Sequence, residues 1–571
     1  MIIPKLVEFF GKAGYTVDIT NFAPTPSSDL GDIGCNIAFM LAKKQKKSPM
    51  IVAEEIKDKL QSYTEKEPLI ERLEIAKGRI NLFFNKSEYC HEIMNYLTPL
   101  IEKGLVIGSS QRVMVEYFQP NTHKAIHVGH LRNGVLGAAI SRILAFSGYE
   151  VITSTYMGDT GAHVAKWLWY FNNFVEDKTI PQIDVTAWSA AIYTAASRAA
   201  SEKPQAKMEI DELQSKLESG DEELVALWKQ TRDACLKDFE YIMKELDIHI
   251  NKFYFESDVE KKGKTLVQTL LDEGIARMDN GAPIIDMESH GIDLPNVLLM
   301  KSDGSSLYST KELALSFEKE KDFDFDISLF VISSEQQLYL KQLFATLKLA
   351  GYSKKNFHVN YNIVKLEGGK MSSRKGNVVF YTELRDKMLE KAREEVEARN
   401  PDLPAETREK IARQIVFGAM KFSMLSSGNS RNIIFNWEKS MRFEGKTGAY
   451  IQYSVVRARK ILDKCREQGI TVEDMDEVDF SVITAPGYEL FKKMADFEEK
   501  TVISAKNYDP SPLALYTFEL AQQFSLFYTD KNILNEPDSK VQQALIATVR
   551  MFCYVIEKCL QLLGIETPAL M

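Results

Sequence analysis

The stretch VEYFQPNTHKAIHVGHLR, residues 115–132, decides the fold. It continues RVMVEYF (112–118), where Val113, Val115 and Tyr117 alternate along the chain as one face of a strand does. QPNTHKAIHVGH (119–130) then reads as a loop. Leu131 to Phe146 has the helical period, with Leu131, Val135, Leu136, Ala139, Ile143 and Leu144 facing inward and Gly148 just past the end. EVITSTY (150–156) follows as a second strand. Strand, helix and strand in this order make a βαβ unit, and such units build parallel sheets.

Further along, residues 165–250 hold several helical segments, the clearest from Asp221 to Leu246, and are expected to be a helical insertion. The strand pattern returns at ISLFVI (327–332), before a helix with Leu340, Leu343, Phe344 and Leu347 inward. A further strand, FHVNYNIVKL (357–366), leads into Gly368-Gly369. Asn400-Pro401-Asp402-Leu403-Pro404 reads as a boundary, beyond which amphipathic helices run to Met571 without comparable strand alternation. Upstream, Asp32 to Lys47 reads as a helix with Ile33, Ile37, Met40 and Leu41 apolar, and GRINLFFN (78–85) as a strand. The expected architecture is multidomain α/β plus α. Residues 1–105 form an N-terminal α/β domain, 106–400 a Rossmann-like domain with the insertion, and 401–571 a helical bundle.

Composition bounds the function classes. The 571 residues are 45% hydrophobic and 26% charged, a soluble globular composition with ample core. A net charge of −9 excludes a globally basic nucleic-acid coat but leaves room for a local basic surface. Six scattered cysteines, none in CxxC spacing, indicate neither a disulfide framework nor a cysteine zinc site. No apolar run approaches ~20 residues, and MIIPKLVEFF does not read as a signal peptide, so no membrane and a cytoplasmic location are expected.

Two segments carry chemistry. His127-Val128-Gly129-His130 lies between a strand and a helix, and HxGH is expected by chance about 0.006 times in a chain of this composition. A helix N-terminus offers unpaired N–H groups suited to phosphate, Gly129 permits close approach of a base or phosphate, and two imidazoles can donate as charge develops. A metal site and a pair of structural histidines compete with that reading. For zinc, no nearby Asp, Glu or Cys completes a coordination set. The second segment, GGKMSSRKGN (368–377), places Lys370, Arg374 and Lys375 with two hydroxyls between glycines. A loop of that kind can close over a triphosphate and stabilise leaving pyrophosphate. It is not a P-loop, because Met371 follows the lysine where Ser or Thr is required.

HVGH and KMSSR resemble the two signature motifs of class I aminoacyl-tRNA synthetases. The flanking VEYFQPNTHKAIHVGHLR, SDGSSLYSTKE, VISSEQQL, FEGKTGAYIQYSVVRARKIL, GDIGCNIAFMLAKK and the ending LLGIETPALM narrow the resemblance to the arginyl-tRNA synthetase family. The resemblance implies activation of L-arginine by ATP with Mg²⁺, then transfer to tRNA, by a monomer that commonly needs bound tRNA before activation. It implies a catalytic and ATP-binding set of His127, His130, Lys370 and Arg374, with Gly129, Met371 and Ser372. Lys124 resembles a lysine used where the second motif is degenerate. It also implies an arginine pocket of Glu116, Asn121, Tyr308, Glu312 and Gln336, and no resident metal. Planar anionic acceptors suit a guanidinium. The bland alternatives are a surface Glu116, a core Tyr308 and a solvated Glu312 beside Lys311. Glu312 also departs from the family, which usually has Asp there.

For tRNA, residues 441–466 carry seven Arg/Lys against two acids, with Phe443, Tyr450 and Tyr453 interleaved. Cations for phosphates with aromatic faces for unstacked bases suit an RNA loop. A bundle helix with core tyrosines is the competing reading. By resemblance, Asn36 marks the tRNA contact of the first domain, and Tyr450, Tyr453, Arg457, Arg459 and Met571 mark that of the last. Lys43, Lys44, Lys46 and Lys47 either touch the tRNA backbone or only solubilise. Rival functions are an adenylating paralogue that does not charge tRNA, a tRNA-binding protein with a dead site, and lysine or cysteine specificity. Against these stand the full helical C-terminus, the intact pair of motifs, and the absence of a cysteine set.

Overall fold

The computed structural model describes residues 2–366, 380–470 and 474–571, in two compact units. Lys370, Met371, Ser372 and Arg374, with the rest of the second motif, lie outside the described residues.

One unit comprises Met1–Gly104, Ser454–Glu499 and Tyr516–Lys558. It begins with helix α1 (Ile2–Lys12), strands β1 (Phe22–Pro24) and β2 (Ile33–Cys35), and helices α2 (Ile37–Gln45) and α3 (Pro49–Thr64). Strands β3 (Ile70–Ala76) and β4 (Arg79–Phe84) and helix α4 (Lys86–Lys103) follow. The four strands form an antiparallel sheet in the order β1-β2-β4-β3. The helix expected from Asp32 is therefore shorter. Ile33–Cys35 pairs with strands on both sides, Asn36 caps α2, and Met40 is 49% exposed rather than inward. Gly34 lets β2 pass close to the Arg79 side chain on β4, where a Cβ would stand 2.5 Å from it. Within the same unit, Lys492 reaches Asp32 at 2.8 Å and Tyr96 donates to Glu498 at 2.7 Å.

The other unit comprises Leu105–Tyr453, Lys500–Leu515 and Cys559–Met571. Strand β5 (Arg112–Glu116) leads through helix α5 (Val128–Phe146) to β6 (Glu150–Met157). Helices α6 (Ala162–Phe174), α7 (Val185–Glu202), α8 (Ala206–Ser219) and α9 (Glu222–Glu245) then precede β7 (Lys252–Phe255). Asp221 caps α9, as the pattern from Asp221 to Leu246 anticipates. Helix α10 (Glu256–Asp272), a small antiparallel sheet of β8 (Arg277–Asp279), β9 (Ala282–Ile285) and β10 (Val297–Leu298), and helix α11 (Tyr308–Asp322) come next. Strand β11 (Ile327–Ser333), helix α12 (Gln337–Leu349) and β12 (Lys355–Tyr361) complete the main sheet. Its order is β12-β11-β5-β6-β7, and every pair is parallel.

The chain thus moves from β5 outward through β6 to β7, then returns to the opposite side of β5 for β11 and β12. The order reverses between β5 and β11, and a crevice opens there at the carboxyl ends of the strands, where α/β sheets take ligands. The run 357–366 is not one strand. It breaks at Asn362, whose side chain bonds Ser334 and Ser430, and resumes as β13 (Val364–Leu366). From Tyr381 on, the described part of the chain is helical apart from β14 (Ile433–Phe435), which pairs with β13. Its helices are α13 (Tyr381–Arg399), α14 (Ala405–Leu425), α15 (Trp437–Ser440), α16 (Gly448–Glu467), α17 (Ala485–Ala495), α18 (Phe497–Asn507), α19 (Ser511–Asp530) and α20 (Ser539–Leu563). Buried Lys421 donates to the Gly564 carbonyl at 2.6 Å, and Gln452 to the Glu566 carbonyl at 2.6 Å. Among the described residues no helix is long and apolar enough to cross a membrane.

Helix α5 lies so close to β5 that a Cβ on Gly137 would stand 2.2 Å from Cγ of buried Tyr117. Gly137→Ala should therefore destabilise by about 1–3 kcal/mol despite alanine's better helix propensity. Urea unfolding followed by circular dichroism would check this, expecting a lower midpoint with an unchanged slope.

Candidate active site

The crevice is a cleft of about 1020 Å³. Of the residues singled out from sequence, Glu116, Asn121, His127, Gly129, His130, Tyr308, Glu312 and Gln336 all line it. Glu116 ends β5, Asn121 bridges Gly158 after β6, Tyr308 and Glu312 lie on the first turns of α11, and Gln336 follows β11. Lys124 is not among the lining residues. Its Nζ lies 5.4 Å from the ring centre of Tyr193 on α7, and burial lowers its pKa.

The HVGH segment corrects the expected loop, because α5 begins at Val128 and His127 is its N-cap. The His127 imidazole folds back so that Nδ1 accepts from the amides of Gly129 (3.1 Å) and His130 (3.4 Å). His130 Nδ1 in turn accepts from the His127 amide at 3.2 Å. Two of the orphan amides expected to greet a phosphate are thus satisfied internally. With both Nδ1 atoms accepting, each ring carries its hydrogen on Nε2, so the donors offered are imidazole N–H groups. The rings stack with centres 3.9 Å apart. Burial pushes the His127 pKa down to about 4 and His130 well below its ordinary value, so both are neutral at pH 7. Gly129 has a local reason of its own: a Cβ would stand 2.8 Å from the His127 ring. The preceding backbone is pinned too, since Phe380 pairs with His127 in an antiparallel bridge.

The acidic part of the cleft holds three carboxylates in different states. Glu116, 3% exposed, is ion-paired with Lys319, which is 0% exposed. Glu256, at the head of α10, is paired with Lys311 at 3.2 Å. Glu312 has neither cation as a direct partner, and its Oε2 is buried without a hydrogen-bond partner. Burial, reinforced by the Glu116 charge and relieved in part by Lys319 and Tyr339, raises its pKa to about 8. The bland alternatives fail for all three residues: Glu116 is buried rather than on the surface, Tyr308 is 64% exposed at the cleft rather than core, and the Glu312 carboxyl is enclosed, with Lys311 engaged by Glu256 instead.

Sequence reasoning missed Glu256, Lys319, Tyr156, Tyr339 and Asn133. Lys319 was findable, because it stands seven residues after Glu312 and hence on the same helix face. Glu256 was findable as a carboxylate just past the carboxyl end of a parallel strand. The tyrosines carried no signal beyond their type. Elsewhere in this unit, Tyr450 is half-buried, Tyr453 packs edge-on to Phe443 at 6.2 Å, and Met571 lines a narrow crevice with Arg399, Met441 and Phe443. In the other unit, Asn36 accepts from Asn21 at 3.0 Å, Arg457 stacks 3.8 Å from the Tyr528 ring centre, and Arg459 pairs with Glu557 at 2.7 Å.

A doubly wound parallel sheet carrying an HxGH helix cap at its switch point defines a class I aminoacyl-tRNA synthetase. Residues 92–437 match the model "tRNA synthetases class I (R), catalytic domain", residues 451–571 the DALR anticodon binding domain, and residues 5–84 the arginyl tRNA synthetase N terminal domain. The chain therefore belongs to the arginyl-tRNA synthetase family. It is 32% identical over 549 residues to an arginine–tRNA ligase of Clostridium perfringens, covering 95% of this chain and 94% of the relative. With the Clostridium acetobutylicum arginine–tRNA ligase it shares 31% over 569 residues, covering 99% and 97%. The solved Thermus thermophilus arginyl-tRNA synthetase superposes with a TM-score of 0.79 at 26% identity, and both chains are covered in full.

Glu312 generates a pH prediction. Its folded pKa, about 8, exceeds its ordinary 4.5, so between those values the native state holds a proton that the unfolded chain has released. Its contribution to stability therefore falls as pH rises through that window. Glu312→Gln should gain melting temperature relative to wild type as pH goes from 5.5 to 8. Differential scanning fluorimetry showing a constant offset would contradict this.

Proposed function

We propose that the chain joins L-arginine to its tRNA in two steps within this cleft. An arginine carboxylate oxygen attacks the α-phosphorus of ATP, the bond from that phosphorus to the bridging oxygen breaks, and pyrophosphate leaves. A ribose hydroxyl of the terminal adenosine then attacks the carbonyl carbon of the adenylate, forming the ester and releasing AMP. The observation that carries this reading is that one cleft is lined both by two neutral imidazoles whose N–H groups are fixed on Nε2 and by a carboxyl group with an unpartnered oxygen.

His127 and His130 take the phosphate oxygens as donors that cost no reorganisation. Lys370 and Arg374, with Met371 and Ser372, are assigned to the triphosphate from sequence resemblance alone, and Lys124 stands as an auxiliary cation. Glu312 receives the guanidinium, exchanging its proton for a planar cation, while Glu116, already balanced by Lys319, acts with Asn121, Tyr308 and Gln336 to orient the amino acid. Mg²⁺ enters as the counterion of ATP. Among the described residues no group of three or more His, Cys, Asp or Glu side chains could hold a metal ion, and no step is assigned to it.

Residues 1–105, 106–400 and 401–571 serve as tRNA-binding, catalytic and anticodon-binding domains of a cytoplasmic monomer. Exposed Lys43, Lys44, Lys46 and Lys47, close in sequence to exposed Phe39, Met40, Met50 and Ile51, suit RNA on the first domain, together with Asn36. Tyr450, Tyr453, Arg457, Arg459 and Met571 are the anticodon-side candidates, and Arg459 would exchange Glu557 for a phosphate.

Aminoacylation of total tRNA with each of the twenty amino acids should succeed with arginine alone, and charging with another amino acid would reject the assignment. His130→Ala should slow adenylate formation by about 10²–10³ while leaving tRNA affinity intact. Normal activation with weakened tRNA binding would place His130 outside the phosphate site.

A further inference from the structure

The mechanism leaves unused a buried carboxylate at the end of α9. Glu245 is 3% exposed in its side chain and receives three donors from two other helices. Arg385 on α13 reaches it at 3.1 Å, Arg413 on α14 at 2.5 Å, and the hydroxyl of Tyr381, the first residue of α13, at 3.2 Å. Two guanidinium groups and a phenol on one enclosed carboxylate make an expensive arrangement, stable only when every member is satisfied.

Tyr381 is fully buried, and its amide donates to the Ile126 carbonyl at 2.9 Å. The neighbouring Phe380 forms the bridge to His127. A continuous chain of contacts therefore runs from Glu245 through the Tyr381 hydroxyl and backbone to residues 126 and 127. Those are the residues whose placement sets the folded-back imidazole. On its far side, the end of α9 also grips α5 itself: Arg142 pairs with Asp247 at 2.6 Å, and Ile248 occupies the space that a Cβ on Gly134 would need. Tyr381 and Phe380 hold the reacting end of α5, through the Ile126 carbonyl and the bridge to His127.

We propose that Glu245 is a positioning residue for the reaction, acting through the Tyr381 hydroxyl to fix the His127 cap and hence the direction of its Nε2–H. This rests on the functional reading above. The variant that isolates the link is Tyr381→Phe, which leaves the ion pairs of Glu245 with Arg385 and Arg413 in place. Glu245→Gln is the second variant, and it also removes the charge that both guanidinium groups share.

The test is arginine-dependent ATP–pyrophosphate exchange by the full chain with tRNA present, together with melting temperatures. A displaced donor should cost Tyr381→Phe about tenfold in kcat, with KM for arginine unchanged. In a His127→Ala background the same substitution should change the rate by less than about twofold, because the group it positions is gone. A role confined to stability would lower the melting temperature of Tyr381→Phe and leave kcat alone. That result overturns the proposal, as does an equal tenfold loss in both backgrounds. Glu245→Gln, if folded, should reproduce the kcat loss, and a normal kcat would count against it. A wild-type chain that exchanges pyrophosphate with another amino acid refutes the assigned substrate, yet the comparison between backgrounds can still be read with that amino acid.

Discussion

The imidazole of His127, turned back onto the amides of Gly129 and His130, is the constraint on which the cleft depends. A helix that starts on a histidine uses a ring nitrogen where Ser, Thr, Asp or Asn would normally supply an oxygen. The exchange has a consequence that those residues could not provide. Capping consumes Nδ1 and leaves a directed donor on Nε2, so one side chain ends the loop, starts the helix and presents an N–H to the cleft. His130 repeats the arrangement from the other side, and burial keeps both rings neutral. The metal and structural-pair alternatives weighed from sequence separate cleanly here: the histidines are structural through one nitrogen and available for chemistry through the other.

The enclosed acidic side of the cleft follows a different logic, with two of its three buried carboxyl groups provided with a cation. Glu116 has Lys319, and Glu256 has Lys311. Glu312 is left with the deficit, and its raised pKa is the expected response of a carboxyl group enclosed without a countercharge. A cationic side chain of the right shape restores the balance that a proton otherwise maintains.

The short apolar runs RVMVEYF and ISLFVI and the helical period after HVGH made the parallel sheet legible; the strands are buried on both faces, as such runs reflect, rather than on one face as the alternation of Val113, Val115 and Tyr117 suggested. The same signals misled at Asp32–Lys47. There, apolar residues at helical spacing were divided between a strand and a shorter helix by the pairing of Ile33–Cys35 with β1 and β4. The run 357–366 looked continuous because no local residue announces the break. Asn362 acts through long-range bonds to Ser334 and Ser430. Five of the eight candidate residues that line the cleft come from the single stretch 116–130, local in sequence, whereas Tyr308, Glu312 and Gln336 were named through family resemblance and reach it from α11 and the end of β11. Lys319 shares a helix face with Glu312 and was findable on that spacing, but its pairing with Glu116, like that of Lys311 with Glu256, joins separate elements and leaves no trace in a single sequence.

The cleft-bearing unit draws on Lys500–Leu515 and Cys559–Met571, and the Gly564 and Glu566 carbonyls are taken by Lys421 and Gln452. During synthesis, the ammonium of Lys421 can find no acceptor there until residue 564 has left the ribosome. The cleft-bearing unit is thus closed by residues drawn from three separate stretches of the chain, and its buried cation is satisfied only when the last of them is in place.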